Sequence, residues 1–234
     1  MDRALRGLAV VVALGVGAAG CGDSGGADEA PLATEGATTT GDTALPSCRD
    51  INRAVVFVVF GGATSGADGE ATRWVDDAED EPAARPQAAA VASAYREVGY
   101  EIVYVSLLPA ETVIGDRPVV DAVTVWLGLN SFPVGDGGRV WAPPGDGSGD
   151  PSVALIEELA RLGASGVEVD AGYAGDQETI FPLLTGGVPR DRVFMVGATG
   201  DEETSSTDVS STPLSDDDLA AHVAEVQALD PICQ

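Results

Sequence analysis

The chain has 234 residues, 44% of them hydrophobic, and a formal net charge of −26 from 38 acids against 12 bases. That is enough apolar material for one domain with a real core. The charge excludes nucleic acid and anionic membrane surfaces as direct partners, because both need clustered Lys or Arg. Every base is an arginine.

The N-terminus opens with Asp2-Arg3-Ala4-Leu5-Arg6 and an apolar run, Gly7 to Gly20. The run is too short and too rich in small residues for a membrane-spanning helix. It ends in Ala18-Ala19-Gly20-Cys21, which resembles a bacterial lipobox. That resemblance implies cleavage before Cys21 and a diacylglycerol on its thiol. An ordinary signal peptide that happens to contain a cysteine is the alternative. The reading is an exported lipoprotein of the bacterial cell envelope, held to a membrane through Cys21, with the outer membrane favoured in a diderm host. Acyl chains contribute about 0.8 kcal/mol per buried methylene, so several chains anchor stably.

Residues 1–20 are thus expected to be a signal peptide and 21–46 a tether. The tether is rich in Gly, Thr, Asp, Glu and Ala and has no aromatic residue. It has too little apolar surface to offset its ordering entropy. Residues 47–234 are left as the folded domain. Cys48 and Cys233 flank it, and an oxidising compartment suggests a disulfide between them. Loop-closure entropy would give it roughly 5 kcal/mol at most. Two free thiols are the alternative. With His222 the sole histidine, a Cys/His metal site is not expected.

Along the domain, Ala54 to Phe60 is a continuous apolar, β-branched run, which predicts a strand buried on both faces. Gly61-Gly62 ends it, and residues 64 to 84 read as an acidic, turn-rich segment. A helix is expected over 85–99 and a buried strand over 100–106. Another helix is expected over 116–130 and a short strand over 139–141. Asp150 is placed to cap a helix with Pro151 at its first position and Gly163 at its close. A strand over 166–170, a short helix over 177–184 and a strand over 191–197 follow. Ser215 and Asp218 stand at capping-box spacing before the last helix. Strand–helix alternation predicts an α/β three-layer sandwich around a mainly parallel sheet, with no large cap domain. Its site should lie beyond the carboxyl ends of the strands, in loops starting at Gly61, Leu107, Ala171 and Ala198.

Several stretches together carry a family resemblance. They are Ala84-Arg85-Pro86, "GYEIVYVS" followed by Pro109, "VEVDAGY", "GGVPRDRVFMVG" and the terminal "PICQ". In this order they resemble the haloacid-dehalogenase-like (HAD-like) phosphatases, and among these the secreted bacterial lipin/Ned/Smp-type phosphatidate phosphatase domain. The resemblance implies a nucleophilic Asp and an acid/base Asp two residues on, at the first strand end. It implies a Ser or Thr at the next strand end, a Lys or Arg, and a last acid that helps hold Mg²⁺.

Placed on that pattern, the nucleophile position is Val59 and the second Asp is Gly61. Valine cannot attack phosphorus and glycine cannot carry a proton. Gly62 fits the turn glycine, and Ala63 or Thr64 falls near the motif's Thr. Ser106 keeps the second motif, but Leu107-Leu108 replace the Gly-Arg of relatives. Ser152 stands near the lysine position, with Arg161 two turns further on. Thr179 takes the place of the last acid, flanked by Asp176 and Glu178 as shifted metal ligands. No catalytic residue is therefore expected. Ser106, Gly62 and Thr64 are the candidates for residual phosphate binding. No cofactor is expected, or Mg²⁺ if activity survives.

Ser65, Ser106 and Ser131 lack a G-x-S-x-G elbow. Asp201, Glu202, Glu203 and Asp208 lack EF-hand spacing. Trp74, Trp126 and Trp141 read as packing residues. Three functions stay open. One is an inactive relative that binds a phosphorylated ligand or an envelope protein. Another is a divergent Mg²⁺-dependent hydrolase working through Asp68 or Asp176 on a phosphorylated lipid or small molecule. The last is a structural envelope lipoprotein.

Overall fold

A computed structural model describes residues 52–60, 63–65, 70–145, 148–197 and 211–232. Cys21, Cys48, Cys233, Gly61, Gly62, Asp68 and the acidic run 198–210 lie outside these residues, as do the signal peptide and tether.

The elements run β1 (Asn52–Val59), α1 (Glu70–Asp76), α2 (Ala88–Glu97), β2 (Glu101–Ser106), β3 (Val113–Ile114), β4 (Arg117–Pro118) and α3 (Val119–Leu129). Then come β5 (Gly138–Trp141), α4 (Pro151–Ala164), β6 (Val167–Ala174), α5 (Gln177–Thr185), a 3₁₀ turn (Arg190–Arg192), β7 (Val193–Val196), β8 (Thr212–Leu214) and α6 (Asp216–Gln227). Six strands form one sheet in the order β5-β2-β1-β6-β7-β8. Each neighbouring pair is parallel.

The alternation along β1 builds both layers of core. Val55, Phe57 and Val59 pack with residues of α2, α3 and α6. Ala54, Val56 and Val58 pack with Leu155, Leu159 and Leu162 of α4 and with Ile180 and Leu183 of α5. A strand covered on both faces must be apolar at every position, which is why this run lacks polar alternation. The result is a three-layer α/β sandwich. From β1 the chain winds outward through β2 to β5, then returns to place β6 on the other side of β1. The order in which strands are added therefore reverses between β1 and β6, and their carboxyl ends are where a ligand cleft is expected.

Local signals explain several boundaries. Asp150 accepts from the Ser152 N–H at 2.8 Å, with Pro151 at the first helical position. Ser215 accepts from the Asp218 N–H at 3.2 Å. Three expectations are corrected. The segment 64–84 is not turn throughout, because α1 forms and buries Trp74. Gly163 does not close its helix; the chain runs to Ala164 and turns at Gly166, which has a φ of +85°. Strand β6 does not stop at Asp170, since the small and apolar residues Ala171 to Ala174 continue it between β1 and β7. The loop expected from Ala171 therefore starts at Gly175.

Both described ends of the domain lie at the amino edge of the sheet. Ile232 donates its N–H to Val98 O at 2.7 Å. Its carbonyl lies so close to Gly99 (φ +99°) that a Cβ there would stand 2.6 Å from it. Strand β1 begins at Asn52, beside Val167 of β6.

Candidate functional site

The carboxyl edge is organised around the end of β1. Val59 is buried and faces Ser106 directly across the β1–β2 ladder. Phe60 then takes a left-handed backbone, φ +64°. A bulky residue there costs about 1–3 kcal/mol and persists only where its surroundings hold it. Two rings do so: Trp74 at 5.4 Å and Trp126 at 5.2 Å, both edge-on. Trp126 is pinned in turn by its indole N–H, which donates to Pro82 O at 2.8 Å. Aromatic packing thus fills the ground beside the strand end. Trp141 is half-buried and packs against the other core layer.

Polar groups gather at the same edge. Thr64 and Ser65 are fully buried, and neither hydroxyl has a hydrogen-bond partner. The same holds for one carboxylate oxygen of Glu70 and for Nε of Arg85. Buried polar atoms are normally paired, so four orphans within one segment stand out. Arg85 ties this segment to the far side of the edge. Its N–H donates to Thr64 O at 2.8 Å, and its guanidinium pairs with Asp216. It also lies flat on Gly197, where an added Cβ would stand 2.6 Å from it. Gly197 has φ +83°, a left-handed backbone that favours glycine. Ser106 is buried and accepts from the Leu108 N–H at 3.2 Å, which leaves its own proton free to donate.

The remaining predicted residues do not join in a catalytic set. Asp176 caps α5 by accepting from the Thr179 N–H at 2.7 Å, and it also takes the Thr179 hydroxyl at 2.9 Å. Both groups are spent on starting a helix. Glu178 is exposed on the first turn of α5. Ser152 sits on the first turn of α4, its N–H held by Asp150. Arg161 is exposed and bonds Glu158 at 2.6 Å, so it does not reach the strand ends. Burial pushes Glu158 up, but Arg161 and Arg139 together hold its carboxyl below the usual range. Among the described residues, no group of three or more His, Cys, Asp or Glu could hold a metal ion. The Mg²⁺ implied by the family resemblance would find no such group among the described side chains.

This edge holds the unpartnered hydroxyls of Thr64 and Ser65 and the Arg85 guanidinium paired with Asp216, and Val59 is apolar at the end of β1. Sequence reasoning missed Arg85 and Glu70. Arg85-Pro86 was visible as a motif, but a buried arginine looks the same as an exposed one in a single sequence.

No family model and no curated protein matches the sequence. Solved structures do. A HAD-like phosphatase structure from Mesorhizobium loti overlays with a TM-score of 0.50 at 15% identity, covering 77% of this chain and 88% of that one. D,D-heptose 1,7-bisphosphate phosphatase from Burkholderia thailandensis gives 0.45 at 13% identity, covering 76% of this chain and 100% of that one. Neither match speaks for the lipin/Ned/Smp branch. The parallel sheet between helical layers and the first of these overlays agree on a HAD-like fold for the chain.

Proposed function

We propose that the protein is an exported, membrane-anchored lipoprotein whose HAD-like domain binds a small phosphorylated or similarly anionic ligand without hydrolysing it. The observation that carries this reading is Val59, apolar and buried at the end of β1 and in register with Ser106. The unpartnered hydroxyls of Thr64 and Ser65, with Arg85 nearby in the chain fold, support binding over a purely structural role.

The test is Mg²⁺-dependent turnover of a generic phosphomonoester by the purified full-length protein. None is expected above a protein-free control. Turnover that disappears in Asp176→Asn, Glu178→Gln or Asp68→Asn would overturn the reading and make the chain a divergent hydrolase.

Anchoring has a separate test in Cys21→Ser, which is expected to move the protein from the membrane pellet to the soluble fraction. The same variant keeps only Cys48 and Cys233. Unfolded without reductant, it should show no reactive thiol. Two reactive thiols would remove the proposed disulfide, and a variant that stays in the pellet would remove the anchor.

A further inference from the structure

The amino edge of the sheet, opposite the candidate site, carries a cavity of about 310 Å³. It lies between the Arg190–Arg192 turn, the start of β8 and the last turns of α6. This is at the lower end of the range for small-molecule pockets, roughly 300–1,000 Å³.

Three features of its wall define what would fit. The first is Arg192. Arg53, Arg85, Arg117, Arg139 and Arg161 all make ion pairs. Arg192 is half-buried on the cavity wall and makes none among the described residues, in a chain with 38 acids. A partly desolvated cation with no ion pair among the described residues favours an anion beside it.

The second feature is a closed polar chain. Glu225 lies 2.9 Å from Nδ1 of His222, and Nε2 of His222 lies 2.6 Å from the Tyr173 hydroxyl. Tyr173 and Tyr95 share a hydrogen bond of 3.0 Å. Burial pushes both phenols up, so both keep their protons at neutral pH. The Glu225 carboxylate lies against His222 and makes no ion pair with Arg192.

The third feature is an apolar side, made by Phe194, Val226 and Leu229. Phe194 packs against the His222 ring at 4.6 Å between centroids. One cation with the carboxylates of Asp191 and Glu225 on the same wall suits a single negative charge better than a double one.

We propose that this cavity is a binding site for a small organic carboxylate with a flat apolar body, its carboxylate on Arg192 and its ring against Phe194 and Leu229. A guanidinium fork matches the two carboxylate oxygens, and the apolar side gains by covering the ring.

His222 is the chain's only histidine, so its ring C–H signals in an NMR spectrum are a single reporter on the cavity wall. The full-length protein, purified without a histidine tag, would be titrated with benzoate, benzylamine and inorganic phosphate in turn. Benzoate should move the His222 signals to a plateau, with half-saturation at about 1 mM, as befits so small a ligand. Benzylamine has the same ring and the opposite charge, and phosphate has the charge without the ring. Neither should saturate in that range. Arg192→Gln should weaken benzoate about tenfold, the usual order for losing one charged hydrogen-bond partner. The probe comparison on the natural protein stands whether or not the variant folds. A linear, non-saturating response to benzoate would overturn the proposal. So would equal binding of benzylamine or phosphate, or unchanged affinity in folded Arg192→Gln.

Discussion

Trp126→Ala is expected to lower the stability of the domain by about 3–5 kcal/mol, the usual range for deleting a buried aromatic ring. Trp126 is fully buried and among the largest of the fully buried side chains. It stacks on Phe132 at 5.9 Å and meets Phe60 edge-on at 5.2 Å. Removing it opens a void and leaves Pro82 O without its donor. It also releases Phe60 from one of the two rings that hold its left-handed backbone. A domain of this size has a net stability of about 5–15 kcal/mol, so the loss would bring it near the limit of folding. Urea denaturation followed by far-ultraviolet circular dichroism measures it. A loss under about 1.5 kcal/mol would show that the aromatic packing beside β1 is loose.

Val59→Asp is the second large effect, and its size should depend on pH. The side chain is 2% exposed, so a carboxylate placed there would be ionised without water around it. Burial raises a carboxyl pKa. The sign follows from linkage. Below about pH 4 the new carboxyl is neutral in both folded and unfolded chains, and only the loss of apolar packing is felt, about 1–2 kcal/mol. Above that, the unfolded chain ionises and the folded one resists. Stability then falls by about 1.4 kcal/mol per pH unit until the folded-state pKa is passed. At pH 7 the added loss should reach roughly 3–4 kcal/mol. Denaturation of the variant and the natural protein at pH 4 and pH 7 gives the comparison. Equal differences at both pH values would mean that the strand end is solvated, and would take away the main support for an inactive site.

The sheet was legible in the sequence because its strands carry the strongest local signal. A run such as Ala54 to Phe60 has no polar face to leave in water, so it could only be a strand buried on both sides. The helix starts at Asp150 and Ser215 were legible for the same reason, since each cap is made within a few residues. The short elements were not. Helix α1 is held by the burial of Trp74 against Phe60, which lies outside its own segment. Strand β8 has three residues and exists through its pairing with β7. That Val59 and Gly61 are not acids could be read directly, but which polar groups gather around them could not. Arg85 matters through Gly197 and Asp216, more than a hundred positions away. The Tyr95–Tyr173–His222–Glu225 chain likewise draws on three separate elements.

The pairing of β1 has a consequence for how the chain reaches this fold. One neighbour, β2, follows soon after β1. The other begins at Val167, opposite Asn52, so that edge waits for about 115 further residues before it closes. Contacts of such long sequence separation slow folding. Until β6 arrives, a strand that is apolar from Ala54 to Val59 has one open edge, which can pair with another copy instead of its own chain. A chain made or exported from its N-terminus would hold this strand half-finished for most of its passage. Its yield should therefore depend more on what shields β1 in that interval than on the stability of the finished domain.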